Sequence, residues 1–378
     1  MAHFAHHLLT ALPGPLLPFI RSDFGLNYAQ SSFVTSSFTF SNGIGQLPAG
    51  WLADRVGPRI LITVGILGVA IAGFLVGISP TYLMMLVFLV LMGLFAGGYH
   101  PAATPLISAS VEPDKMGRAL GFHLIGGNAS FFLAPLIAAA IAAAWSWRGS
   151  FISLAVPSAI FGVVFFLFLS RRAGIGQARA RTTDSRSEAP PAPGRWRRLA
   201  AFMALTVLGG GMGMSIMAFV PLYLVDQFGV SKQTAASLLS IVNFAGLWAG
   251  PVGGYISDRI GRVRIIIACG LISGILVYAL KLVPWGLGFG AVLFLIGINN
   301  SLRMPVSEAF IIGQTTARSR STIYGIYYFA MQETSAVFAP IMGSLIDNLG
   351  FPTCFTIASS AGIAVTLICS VFLWGAQN

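Results

Sequence analysis

Residues 50–59 read GWLADRVGPR, and residues 254–264 read GYISDRIGRVR. Each is a short charged turn between two long apolar runs. Only 9% of the 378 residues are charged, against about 25% in soluble domains. Charges therefore interrupt this sequence rather than cover a surface. Between them lie apolar stretches of about 20 residues, long enough to cross a hydrocarbon layer of roughly 30 Å as helices. Hydrophobic residues make up 56% of the chain. A large soluble enzyme would need many more polar helix faces, so the composition implies a polytopic membrane protein.

Twelve apolar stretches separate at charged or turn-rich positions. They are 3–21, 27–49, 60–78, 81–108, 117–142, 149–169, 199–225, 232–254, 263–282, 286–312, 321–346 and 351–374. Between the sixth and seventh, RRAGIGQARARTTDSRSEAPPAPGRWRR is polar, basic and Pro-containing. It cannot bury a core and reads as a flexible linker. The expected organisation is six helices over 1–170, a linker over 171–198 and six helices over 199–378. With the N-terminus cytoplasmic, 17 Lys and Arg residues fall in inner loops and four (Arg21, Arg148, Lys232, Lys281) on the outer side. Positive residues stay on the cytoplasmic side, so both termini are expected there. This distribution accounts for the net charge of +11, and nucleic acid is not an expected partner.

Cys269, Cys354 and Cys369 lie in apolar segments without metal-ligand spacing and read as small core residues. The opening MAHFAHHLLTALPG lacks a Lys/Arg-rich region and a small-residue cleavage site, which reads as a retained first helix.

The charged turn occurs twice because the chain repeats. FGLNYAQ from Phe24 and FGVSKQT from Phe228 align without a gap at an offset of 204 residues, and the two charged turns fall in the same register. The same offset pairs Gly93 with Gly297, Pro101 with Pro305 and Gly121 with Gly325. An even number of spans separates the copies, so both halves enter the membrane in the same orientation, as a parallel repeat.

A chain of six plus six helices with G-x-L-A-D-R-x-G after its second span resembles the major facilitator superfamily. Gly50, Leu52, Ala53, Asp54, Arg55 and Gly57 match the motif that members carry between helices two and three. Pro58 stands where a basic residue is usual, and Arg59 supplies the next one. The second copy keeps Gly254, Asp258, Arg259, Gly261 and Arg262. Within the superfamily, Tyr99-His100-Pro101 and Gly126-Gly127-Asn128, followed by Ala134-Pro135-Leu136, look like the fosmidomycin-resistance-type efflux branch. That branch often shows an Asn-Asp pair early in helix one, where this chain has His6-His7. The arginine that many proton-coupled relatives carry in helix four is absent, since Leu89–Met92 is apolar.

The resemblance implies an all-α membrane protein of twelve helices in two pseudo-symmetric six-helix bundles, with the central cavity lined by helices one, four, seven and ten. The charged turn then reads as a cytoplasmic gate formed by Gly50, Asp54, Arg55, Gly57, Arg59, Asp258, Arg259 and Arg262. Asp54 would accept backbone N–H groups at a helix N-terminus, and the arginines would meet carboxylates or lipid phosphates. Small-residue stripes at Gly117/Gly121 and Gly246/Gly250/Gly254 permit close helix approach.

Ionisable residues inside spans are costly and must face the interior or water. Arg303 and Glu308 flank Pro305, and either pair with each other or serve as an anion contact and a proton carrier. Glu333 has no cation near it in sequence and is the leading proton carrier, with Glu308, His100 and His123 as further candidates. Candidate substrate contacts are Arg303, His7, Asn42, Gln46, His100, Asn128, Asn243, Asn300, Tyr327, Tyr328 and Gln332. His3, His6 and His7 are close in sequence, but Thr10 and Pro13 follow rather than another ligand, so no metal and no cofactor are expected. Phosphate-loop, hydrolase-elbow and zincin motifs are lacking, so no enzyme is expected.

The expected function is secondary active transport by alternating access. Proton-coupled export of a small amphipathic or anionic compound is favoured over uptake of a small organic anion, and both over a sensor that moves nothing. A monomer in a bacterial inner membrane, meeting its substrate and the bilayer, completes the expectation.

Overall fold

The computed structural model describes residues 1–112, 116–171, 194–315 and 317–374. Lys115 and most of the basic linker lie outside these residues, as do the side chains of Asp54, Arg118, Arg318, Arg320 and Tyr324. The described chain is helical, with no strand. In order the helices are α1 (Ala2–Thr10), α2 (Leu17–Phe24), α3 (Tyr28–Val56), α4 (Pro58–Gly77), α5 (Tyr82–Gly97), α6 (Tyr99–Ser110), α7 (Met116–Ala144) and α8 (Trp147–Arg171). They continue as α9 (Arg195–Ala204), α10 (Gly210–Phe228), α11 (Lys232–Phe244), α12 (Ala249–Ile260), α13 (Arg262–Ala279), α14 (Leu287–Gln314) and α15 (Ala317–Trp374).

Among the described residues, eight helices are long and apolar enough to cross a membrane, or up to nine if one bent pair is a single span. Local chemistry explains the difference from twelve. Pro13, Gly14 and Pro15 break the first stretch into α1 and α2, because proline removes a donor and clashes with the preceding turn. Helix α3 is long but rich in Ser and Thr; Ser37, Thr39 and Ser41 donate to carbonyls one turn back, which lets such residues sit in a helix. Helix α15 runs through Gly350 (φ 74°, ψ 165°), where two helices join.

The chain divides into two compact units, Met1–Arg181 with Pro221–Ser240, and Thr182–Val220 with Ile241–Asn378. The end of α10 and the start of α11 fall in the first of these units. Asp226 on α10 accepts hydrogen bonds from Arg21 and Tyr28, which ties that end to α2 and α3.

In the first unit α3 packs along α5, and α4 lies against α5 and α8. Helix α3 starts in a capping box, with Asn27 accepting from the Gln30 amide and Gln30 accepting from that of Asn27, so two exposed N-terminal donors are satisfied at once. In the second unit α13 packs on α14 and α15, and α12 on α14, around Phe202, Val306, Phe310 and Tyr327.

Beyond the end of the first predicted span, Asp23 accepts hydrogen bonds from Arg148 and Trp147. Burial pushes its carboxyl up, but these bonds outweigh that and hold it below the usual carboxylate range. The contribution to stability is therefore present above the ordinary value of about 3.9 and is lost as pH falls through the depressed one. Asp23→Asn should lower the apparent melting temperature in detergent at neutral pH and match the wild type in strong acid. Equal melting at neutral pH would remove this bridge from the account.

Candidate functional site

The opening motif folds the same way in both copies. Arg55 stacks on Trp51, one helical turn before it, at 4.0 Å from the ring centroid. Arg259 stacks on Tyr255 at 4.4 Å. Gly57 and Gly261 end α3 and α12 and begin α4 and α13 with φ 85° and 95°, ψ 145° and 138°. Residues with a Cβ are strained there, which explains the glycine of D-R-x-G. Gly57→Ala or Gly261→Ala should each cost about 1–3 kcal/mol, read as a lower melting temperature; an unchanged one would show that the turn relaxes. Of the other gate residues, Arg59 lies 5.6 Å from the Phe166 ring and Arg262 donates to the carbonyl of Ala309 at 2.8 Å. Asp258 is exposed beside a cleft of about 360 Å³ that Arg198, Arg262 and Gln314 also line.

The repeat extends to backbone contacts. A Cβ on Gly93 would sit 2.4 Å from the carbonyl oxygen of Phe38, and one on Gly297 2.2 Å from that of Val242. Residues 38 and 242 are themselves 204 apart. The close approach of α12 uses Gly253, whose Cβ would be 2.3 Å from the Leu302 carbonyl, rather than Gly254, which has nothing within 4 Å. A 3₁₀ turn at Ala245–Leu247 interrupts the predicted stripe and shifts its register.

All five histidines of the chain meet in the first unit. His3, His6 and His7 share one face of α1, His100 comes from α6 and His123 from α7. His3 stacks on His123 with centroids 4.0 Å apart, and His6 lies 4.7 Å from His7. His7 lies 5.3 Å from His100. Tyr99 closes one side, stacked on His6 at 4.3 Å, and Phe131 another, 4.6 Å from His7. The pair Gly126-Gly127 makes room, because a Cβ on Gly127 would fall 2.5 Å from His3. Sequence reasoning named His7, His100 and His123 as site candidates, weighed His3 and His6 with His7 only as a metal set and set it aside, and read Tyr99 only as part of the family motif. The i, i+3, i+4 spacing of the three α1 histidines was the available signal.

In the second unit Arg303 reaches Gly210, its guanidinium 3.1 Å from where a Cβ would stand. It lines a small cavity of about 20 Å³ with Gly270, Ser273 and Thr366, room for about one water molecule. Glu308 accepts a hydrogen bond from the Tyr328 hydroxyl. Both carboxylate oxygens of Glu333 are buried without a hydrogen-bond partner. Its neighbours Met331 and Thr334 pack on Gly210 and Gly211 of α10, next to the π-helical turn Leu205–Gly209, a local form frequent at functional sites.

The remaining candidates are scattered. Tyr327 is buried in the core, 5.7 Å from the Phe202 ring. Asn42 and Gln46 place their backbones against Gly97. Asn128, Asn243 and Gln332 are half-buried and Asn300 is exposed. Asn299 instead bridges helices, donating to the Cys269 carbonyl at 3.1 Å.

A duplicated helical membrane protein with buried ionisable groups in each unit belongs to the class of polytopic carriers. The Major Facilitator Superfamily profile matches residues 1–223 and again 201–377, so the chain belongs to that family of transporters. It is 26% identical over 360 residues to the multidrug resistance protein MdtG of Klebsiella pneumoniae (strain 342), covering 93% of this chain and 86% of that one. It is 30% identical over 259 residues to the probable nitrate/nitrite antiporter NarK1 of Thermus thermophilus, covering 65% and 57%. A POT family transporter crystallised with a thioalcohol-conjugated peptide shares the fold, with a TM-score of 0.83 at 14% identity, covering 100% of this chain and 95% of that one. A bacterial homologue of the human lysosomal transporter Spinster does so with a TM-score of 0.74 at 16% identity, covering 99% and 94%. The protein is a multi-pass transporter of the bacterial inner membrane.

Proposed function

We propose that this transporter exports a small amphipathic or anionic compound in exchange for protons, by alternating access. The reading takes the chain as twelve spans with both termini cytoplasmic, two six-helix bundles over 1–170 and 199–378, and the linker 171–198. It works as a monomer without cofactor or enzymatic step. Glu333 carries the proposal: two buried carboxylate oxygens without partners. An unpaired buried charge is costly, and taking up a proton relieves it, so this group can couple proton movement to a conformational change. Likeness to MdtG, named for multidrug resistance, supports the export direction. The efflux-branch residues, His100-Pro101 and Gly126-Gly127-Asn128, support it independently.

In this reading Glu308 and the histidines are secondary proton sites, and Asn42, Gln46, Asn128, Asn243, Asn300, Tyr327, Tyr328 and Gln332 contribute polar contacts to substrate. A second reading, exchange or uptake of a small anion, is favoured by Arg303 and by the likeness to the probable nitrate/nitrite antiporter. Flux in proteoliposomes, with and without a pH gradient, tests the first against the second. Faster export under the gradient is expected. Equal flux in both conditions would take the proton out of the mechanism, and accumulation of labelled anion would reverse the direction.

A further inference from the structure

We propose that the five-histidine cluster binds one divalent first-row transition-metal ion of the zinc, cobalt or nickel type. Two triads can hold it, His3/His100/His123 and His6/His7/His100, in each of which one donor atom per residue lies within 4.8 Å of the others. Donors around a tetrahedral ion at 2.0–2.1 Å are about 3.4 Å apart, so the rings must turn to close either triad, and His3 and His123, now stacked 11° from parallel, must tilt toward each other. His100 belongs to both.

Three features beyond proximity point to a ligand. His6 is 2% exposed, and its Nδ1 has no hydrogen-bond partner although its ring faces His7 and His100. His3 Nδ1 donates to the backbone carbonyl of His123 at 2.7 Å, which leaves Nε2 as the free donor. His7 Nδ1 lies 3.0 Å from the Thr10 hydroxyl, and with Nδ1 donating to it Nε2 is likewise left to bind an ion. Metal-ligating histidines characteristically engage their second nitrogen in this way, which sets ring orientation and tautomer. A set of imidazoles without carboxylates suits borderline ions and disfavours Mg²⁺ and Ca²⁺. A bound ion would take His100 and His123 out of proton exchange and leave Glu333 to carry the coupling; the inference is independent of the transport direction.

Tag-free protein, purified in detergent and stripped with chelator, should take up about one Zn²⁺ or Co²⁺ per chain on equilibrium dialysis, and no Mg²⁺. Bound Co²⁺ should show the visible absorption of a nitrogen-ligated, low-coordinate ion. His100→Gln should weaken binding by at least about a hundredfold, because loss of a ligand should cost no less than the ten- to hundredfold that loss of a ligand's outer-shell partner costs. His123→Gln and His7→Gln each spare one triad and should weaken it less. Monodisperse elution and an unchanged melting temperature without metal show that each variant folds. The proposal is overturned if the wild type binds neither ion, if Mg²⁺ competes equally, or if folded His100→Gln binds like the wild type.

Discussion

Glu333→Gln should abolish the acceleration of export by a pH gradient. Glutamine keeps the shape of the side chain and removes its capacity to exchange a proton. The expected fall in gradient-driven flux is at least about tenfold, equivalent to 1.4 kcal/mol in the barrier, while substrate binding and downhill exchange persist. Glu308→Gln should act differently, because the Tyr328 hydroxyl already satisfies Glu308. Its neutral replacement should chiefly loosen the contact between α14 and α15. The measurement is flux in proteoliposomes with a substrate found by thermal-shift screening of antibiotics and organic anions. Gradient-driven flux within about twofold of wild type, under 0.5 kcal/mol, would exclude Glu333 as the coupling group.

Gly297→Ala and Gly93→Ala, like Gly253→Ala, should be among the most damaging single-methyl changes at the described glycines. The added carbon would meet a backbone carbonyl at 2.2 and 2.4 Å respectively, and neither α11 nor α3 can turn its backbone aside as a side chain would. Overpacking of this kind costs about 1–3 kcal/mol or more, and here it also separates two helices. Gly325→Ala, with nothing within 4 Å, is the control and should melt with the wild type. Equal melting for all three variants would mean that the helices slide apart without cost and that the paired contact does not set the packing.

The features legible in the sequence were those written within one helix or one turn. Charge in a greasy chain located the breaks, and the offset of 204 exposed the duplication, since Gly57 and Gly261 meet the same steric demand. Other features were hidden by distance along the chain. His100 and His123 join the α1 histidines only through packing of α6 and α7, which periodicity does not report. Tyr327 packs against Phe202, a contact between distant parts of the chain that no local pattern announces. Gly253 rather than Gly254 carries the close approach because a 3₁₀ turn rotates the helix face, and no spacing rule announces such a turn.

The common offset also implies a division of labour between paralogous halves. Counting 204 residues onward, Tyr99 corresponds to Arg303, His6-His7 to Gly210-Gly211, and His123 to Tyr327. The stack of Tyr99 on His6 and the seat of Arg303 on Gly210 are thus two occupants of one inherited niche. One half fills it with imidazole rings and a tyrosine, the other with a formal positive charge. The glycine joints at Gly93 and Gly297 are meanwhile the same in both halves, so the two halves share a frame and differ in what it holds.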